Sequence, residues 1–320
     1  MIYSEKASVW EFSILDLSKN SFWYKGVLLK GKHDSRLKKS NALRNAISVL
    51  KSYFFNVYAH QNISIKVGLK TITTKTDAFG RFQVISEIGP DTDTVVTITL
   101  SGGDLPLKIV QDYPIHFQEE QRTLDIISDI DDTILESNTA NIYKRIKTLL
   151  FLVPEKRTVI TFTKNIYQAW QDVNPRLFYV SKSESNLTIL LTTFIKHNNL
   201  PCGMLFLTPY LSFFQLIKGL KPTDFKLNTI RFLIVNSRSS NYVLFGDDSQ
   251  KDMSIYATLA KEYPDLILKI YIRQTGESIN NKQQVMWENL NATGVSASYF
   301  LPEHAESILN EIEVLKQQLK

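Results

Sequence analysis

Hydrophobic and polar positions follow two different patterns along this chain, and the change falls near Thr123. Before it, short stretches alternate. YKGVLLKG (24–31) reads as one strand, and NISIKVGLKTITTKTDAFGRFQVISEI (62–88) as several. A tight turn at Asp77-Ala78-Phe79-Gly80 joins two of these, with Gly80 supplying the positive φ such turns need. DTVVTITLSG (93–102) and LPLKIVQDYPIHF (105–117) continue the series. Short strands at this spacing predict a β-sandwich-like N-terminal domain over residues 1–120. One helical stretch interrupts it at 39–58, where Leu43, Ile47, Leu50 and Phe54 share a face.

After Thr123 the apolar runs are short and continuous: LDIISD, RLFYVS, MLFLTP, YVLFGD and LILKIYIRQ. Stretches of helical spacing separate them: SNLTILLTTFIKHNN, TDFKLNTIRFLIVNS and MSIYATLAKEY. This alternation predicts an α/β domain over 121–320, a parallel sheet with helices on both faces. In such sheets ligands bind beyond the carboxyl ends of the strands. Asp129, Ser181 and Asp247 all stand at such ends. The C-terminal segment reads as an amphipathic helix, with Glu303 at its start and lysines at its end as the macrodipole favours.

Composition narrows the class only a little. The 320 residues are 43% hydrophobic and 22% charged, ordinary for a globular chain with room for two cores. A net charge of +5 suits anionic partners, whether nucleic acid, membrane surface or small phosphates. The lone Cys202 excludes an internal disulfide. The first residues carry scattered charges and no leader-like apolar core, and the apolar run at 200–217 is broken by Pro201, Pro209 and Gln215. A cytoplasmic protein is therefore expected.

The chemistry concentrates at SDIDDTI (128–134), where Asp129, Asp131 and Asp132 crowd the end of an apolar run. A second acidic group, GDDSQKD (246–252), follows another run and holds Asp247, Asp248 and Asp252. Like charges at a strand end repel unless something positive binds there. If the two strand ends meet, the oxygen-only donor set suits Mg²⁺, which takes one or two carboxylates and completes its shell with water and phosphate. A solvated acidic turn is the bland alternative for either group alone; two such groups, each directly after an apolar run, favour the metal site.

These residues resemble the haloacid dehalogenase superfamily of phosphohydrolases, through D-x-D-D-T followed far downstream by G-D-D-x-x-x-D. The wording ISDIDDTI, FYVSxS, LPxGxLxL, GDxxQxDxxIY and IYIR is similar, more narrowly, to the phosphatidate phosphatase family typified by the yeast actin-patch protein. The resemblance implies a haloacid-dehalogenase-like Rossmannoid domain and Mg²⁺-dependent removal of phosphate from phosphatidate, giving diacylglycerol. It implies that Asp129 is the nucleophile, and that Asp131 protonates the leaving oxygen and then activates water. Asp129, Asp131 and Asp247 would ligate the metal, with Asp132, Asp248 and Asp252 in support. Ser181, with Ser183 second, Thr133 and Lys226 would bind the phosphate. Lys221 is the runner-up to Lys226. The family's second motif runs Ser-Asn-Ser-Pro-Trp, whereas this chain has Ser181-Lys182-Ser183-Glu184-Ser185. Arg157 is read as a surface residue.

A lipid substrate must be met at a bilayer. The stretch containing Lys30, Lys32, Arg36, Lys38, Lys39, Arg44 and Lys51 suits peripheral contact with an anionic membrane, although a solvated helix and loop is slightly favoured. Tyr210, Phe213 and Phe214 could touch acyl chains, with core packing the favoured alternative. Nucleic acid is not expected, because no helix-turn-helix, zinc or RNP-type pattern accompanies the basic residues. Two rival readings stand: the same chemistry on a small soluble phosphate ester, and a non-catalytic interaction module with a vestigial acidic site.

Overall fold

The computed structural model describes residues 7–17, 20–31, 56–91, 94–117, 124–129, 164–209, 224–237, 239–248, 251–301 and 305–319. Most of the predicted helix at 39–58, most of the basic stretch, Asp131, Asp132, Thr133, Arg157, Tyr210, Phe213, Phe214, Lys221 and Glu303 lie outside the described residues. The last residues of that predicted helix, 56–58, are not helical, since Val57 bridges antiparallel to Leu29 and Tyr58 N–H donates to Leu28 O at 2.9 Å. The chain divides into two compact units. The first comprises Met1–Gln118 with Glu184–Thr193 and Leu207–Pro222; the second comprises Glu119–Ser183, Phe194–Phe206 and Thr223–Lys320.

The first unit is β-rich. Strands β1 (Ala7–Leu17), β2 (Ser21–Lys30), β5 (Arg81–Ser86), β7 (Lys108–Ile109) and β8 (His116–Phe117) form one sheet. Strands β3 (Asn62–Val67), β4 (Lys70–Lys75) and β6 (Val96–Leu100) form another, antiparallel throughout. One core draws on both: Val9, Phe12, Ile14, Tyr24 and Leu28 pack in the same cluster as Ile63, Ile65, Ile72 and Ile98. The expected turn is present. Gly80 donates its N–H to Asp77 at 3.1 Å, at φ +70°. An added Cβ there would meet Val57 at 2.6 Å, so the position needs glycine on both counts. Strand β1 was not legible in the sequence pattern: nine of its eleven residues are buried, so polar-to-apolar alternation is lost.

Most of the second unit is built on a six-stranded sheet, of which Glu184, Leu207 and Thr208, like residues 188–193 of the helix between them, fall in the first unit. Its strands are β9 (Leu124–Ser128), β10 (Arg176–Glu184), β11 (Met204–Thr208), β12 (Asn241–Asp247), β13 (Ile267–Arg273) and β14 (Ala297–Phe300). The order across the sheet is β11-β10-β9-β12-β13-β14. The registered pairs from β10 to β14 are all parallel. Helices α1 (Thr188–His197), α2 (Phe225–Asn236), α3 (Asp252–Glu262) and α4 (Asn281–Asn291) connect successive strands from β10 onward, and α5 (Ala305–Leu319) follows β14. The five apolar runs read from the sequence are β9 to β13. Helix α4 and the four-residue β14 were not anticipated. Helix α4 buries only Leu290 among its residues, so it lacks a continuous apolar stripe; its start is instead set by a capping box between Asn280 and Gln283.

From β9 the chain moves outward to β10 and β11, then returns to the other side of β9 for β12 and moves outward again. The direction reverses between β9 and β12. At such a point the loops leaving two neighbouring strands part in opposite directions and leave a crevice at their carboxyl ends.

The amino ends of β9 and β10 are locked by a buried ion pair that the sequence did not advertise. Arg176 donates from Nε to Asp125 Oδ1 at 3.1 Å and from Nη2 to Asp125 Oδ2 at 3.0 Å. Ser237 accepts from Nη2 at 2.6 Å and itself donates to Asp125. All three side chains are buried. Breaking such a pair leaves one charge uncompensated in the core. Arg176→Met should therefore lower stability by about 3 to 5 kcal/mol. Adding Asp125→Leu should recover much of that loss, because the orphaned carboxylate is then gone. Urea unfolding of the two variants checks this; an Arg176→Met chain as stable as the parent would refute it.

Candidate active site

Asp129 directly follows β9, whose five residues are all buried. Its backbone N–H donates to Phe245 O at 2.9 Å, which extends the β9–β12 ladder to the first acidic motif. Asp247 is the last residue of β12, and Asp252 opens α3. The two acidic groups, more than a hundred residues apart, thus meet at the reversal point of the sheet. Asp129, Asp247 and Asp252 each present a carboxylate oxygen within 4.8 Å of the others, and all three are buried.

Lys226, in the first turn of α2, lies among them and is 2% exposed. Its Nζ donates to both oxygens of Asp252 at 2.6 Å and sits 3.1 Å from Asp129 Oδ1. Burial pulls the ammonium toward its neutral form, but Asp129 and Asp252 more than reverse this, and its pKa stands well above the usual lysine range. The Tyr256 ring lies under the ammonium, with Nζ 5.7 Å from its centroid, and the Tyr256 hydroxyl donates to Phe245 O at 2.8 Å. Burial pushes that phenol well above its ordinary range, so it serves as a donor.

Gly246 has a steric reason. A Cβ built there would fall 2.7 Å from Asp252 Oδ2 and 2.7 Å from Tyr256 Cε2. The bare backbone is what lets Asp252, and with it Lys226, approach β12 so closely.

The remaining candidates divide. Asp248 does not join the cluster found above. Its Oδ1 accepts from the Thr275 backbone at 3.0 Å and from the Thr275 hydroxyl, and its Oδ2 accepts from Tyr299 at 2.6 Å. It ties the loops after β12 and β13 to β14. Ser181 and Ser183 are buried at the end of β10, and Ser181 Oγ accepts from the Ser183 backbone at 2.8 Å. Lys182, between them, is the residue that feels the cluster. Burial lowers its pKa, while Asp252 and Asp129 act to raise it and Lys226 and Lys251 to lower it. The sequence signal for Lys182 was its substitution for asparagine in the second motif. Tyr167 was missed altogether: its hydroxyl donates to Ser128 Oγ at 2.6 Å, and Ser128 Oγ donates to Asp129 O at 2.9 Å. No spacing rule links a tyrosine nearly forty residues downstream to this strand end.

The donor chemistry fits a hard divalent cation: three buried carboxylates, with no sulfur or imidazole in the cluster. Asp252 is already engaged through both oxygens by Lys226, which leaves Asp129 and Asp247 as the better-placed protein ligands.

Residues 124–274 match the family model for the phosphatidate phosphatase APP1 catalytic domain. The likeness to the APP1-like phosphatidate phosphatase family, read first from the motifs, is thereby shown for the segment that carries this site. Phosphatidate phosphatase APP1 of Saccharomyces cerevisiae is 27% identical over 247 residues, covering 74% of this chain and 37% of that protein. An uncharacterized protein of Schizosaccharomyces pombe is 26% identical over 156 residues, covering 48% of this chain and 26% of that one. The chain thus spans little more than a third of the length of the first relative and about a quarter of the second. Among solved structures, a carbohydrate acetylesterase from Xanthomonas citri aligns over 83% of this chain and 70% of that chain, at TM-score 0.31 and 11% identity; a likeness this low carries no argument.

Two outcomes test the site. Gly246→Ala should lower the melting temperature, because the added Cβ would fall 2.7 Å from Asp252 Oδ2 and displace the carboxylate that Lys226 holds. Lys226→Met should destabilise the fold, and more so at pH 8 than at pH 5. The sign follows from linkage: Lys226 with its raised pKa is charged and fully stabilising at both values, whereas in its absence the buried carboxylates favour protonation and lose stability as pH rises. Thermal unfolding across that range checks it, and a pH-independent loss would refute the coupling.

Proposed function

We propose that this chain is a Mg²⁺-dependent phosphomonoesterase acting through an aspartyl-phosphate, with phosphatidate as the substrate. The observation that carries this reading is Asp129. It is buried at the reversal point, 3.1 Å from Lys226 Nζ, and clustered with Asp247, inside a segment that matches the APP1 catalytic-domain family. The reading takes residues 121–320 as a haloacid-dehalogenase-like catalytic domain and 1–120 as a β-sandwich-like partner domain.

A carboxylate oxygen of Asp129 attacks phosphorus, and the bond from phosphorus to the ester oxygen breaks. Asp131, two residues on, gives its proton to the departing alkoxide, which leaves as diacylglycerol. Asp131 then takes a proton from water as that water attacks phosphorus, freeing Asp129 and releasing inorganic phosphate. Lys226 holds the nucleophile in place and offsets negative charge as it builds on the phosphoryl oxygens. Thr133, Ser181 and Ser183 are assigned to phosphate binding. Asp129, Asp131 and Asp247 would hold Mg²⁺, which would supply charge neutralisation at the phosphoryl group. Asp132, Asp248 and Asp252 are assigned to support.

Among the described residues no helix is long and apolar enough to cross a membrane. The substrate would be met at the surface of an anionic membrane by a protein that is otherwise cytoplasmic. The second-motif change to Ser181-Lys182-Ser183-Glu184-Ser185 is the observation favouring a second reading, in which a small soluble phosphate ester replaces the lipid. Lys182 adds a basic side chain that interacts electrostatically with Asp252, Lys226 and Asp129.

Phosphate release from phosphatidate in mixed micelles, with Mg²⁺ and with EDTA, is the test, run beside a panel of soluble esters. Release from the lipid that EDTA stops is expected, and Asp129→Asn should reduce it to background while keeping the fold. Release from soluble esters alone would transfer the reading to the second substrate class. Turnover surviving in Asp129→Asn would overturn the mechanism, and silence on every ester would favour an interaction module.

A further inference from the structure

Arg273 ends β13, in register with Asp247 at the end of β12 and with Phe300 in β14. It is 2% exposed. Its Nε and Nη2 are buried and have no hydrogen-bond partner among the described residues. An arginine guanidinium is a charged group, so among the described residues this is a buried cation without a matching anion. Such a group costs several kcal/mol to bury unless something anionic joins it. Its counterpart at the other end of the sheet, Arg176, is equally buried but fully matched to Asp125 and Ser237. The contrast separates a structural arginine from one left open.

Its position is specific. Paired residues of a parallel ladder project to the same face, and neighbouring strands lie about 4.8 Å apart. Arg273 therefore stands on the same face as Asp247, one strand removed, at the carboxyl end of the sheet. The backbone there is held. Asp248 N–H donates to Arg273 O at 3.2 Å, and Gln274 N–H donates to Phe300 O at 2.7 Å. The carboxylate of Asp248, the nearest in sequence to Asp247, is occupied by Thr275 and Tyr299 instead.

Charge balance indicates what is missing. Lys226 is consumed by Asp129 and Asp252, so it cannot by itself answer a phosphate monoester carrying close to two negative charges at neutral pH. A guanidinium whose Nε and Nη2 have no partner among the described residues is shaped to grip two oxygens of one phosphate.

We propose that Arg273 is an anion-binding residue of this site, taking oxygens of the substrate's phosphate from the β13 side of the crevice. This rests on the phosphatase reading above and adds a substrate-binding residue to it.

The test uses the full chain and inorganic phosphate as probe, with Mg²⁺ present, by titration calorimetry. Arg273→Met removes the charge and keeps the length. Its phosphate affinity should fall about tenfold to hundredfold, the range for losing charged hydrogen bonds. Its melting temperature without phosphate should be unchanged or higher, because an unmatched buried charge has been removed. Arg273→Lys should fall between the two. Unchanged phosphate affinity in Arg273→Met would overturn the proposal. So would a lowered melting temperature that Arg273→Lys restores without any difference in phosphate affinity among the three proteins, since the charge would then be structural. A parent chain that binds no phosphate would overturn it too. The two readings fail separately. Ester hydrolysis with a KM untouched by Arg273→Met removes Arg273 from the site and leaves the phosphatase. Phosphate binding that depends on Arg273, in a chain that hydrolyses no ester, does the reverse.

Discussion

Three carboxylates buried within 4.8 Å of one another cannot be held by packing alone, and the ammonium of Lys226 is the group on which the arrangement depends. At a separation of about 4 Å and an effective dielectric near 20, each like-charged pair costs about 4 kcal/mol. Lys226 offsets this by touching two of the three carboxylates at once, and they in turn keep it charged although it is buried. The acidic motifs and the lysine are therefore one unit.

The rest of the second unit serves to bring that unit together. The order of strands puts β9 beside β12, which joins the two acidic motifs. Gly246 removes the side chain that would block Asp252, and Tyr256 supplies a ring beneath the ammonium and a hydrogen bond to β12. Asp248, tied to Thr275 and Tyr299, anchors the loop that follows. At the far end of the sheet the Arg176–Asp125 pair fixes β9 against β10. One end of the sheet holds a matched ion pair, and the other gathers three carboxylates around Lys226, inside the segment that matches the APP1 catalytic-domain family model.

The site was readable to the extent that its chemistry is local. Asp129 and Asp247 stand directly after continuous apolar runs, and a run of that kind ending in carboxylates is informative in one dimension. Lys226 was reachable only through the resemblance, since a lone lysine in a helix is ordinarily a solvated one. Tyr167 gave no such cue, and Arg273 stood in the IYIR motif with no role attached to it; the meaning of each comes from what lies around it in the fold. Strand β1 and helix α4 were missed for related reasons: the first is buried on both faces and loses alternation, and the second buries too little to show a stripe.

By itself the sequence determined the kinds of element and where they break, because side-chain periodicity and turn residues act over a few positions. It also determined that two acidic motifs exist. Only the tertiary structure decided that they share one site, that Lys226 neutralises them, that Asp248 is held by Thr275 and Tyr299, and that Arg176 is matched while Arg273 has no partner among the described residues. Those outcomes depend on strand order and on which charges meet after burial. Burial removes the water that would otherwise screen each group alone, so a charge's partner, and not its type, settles what it does.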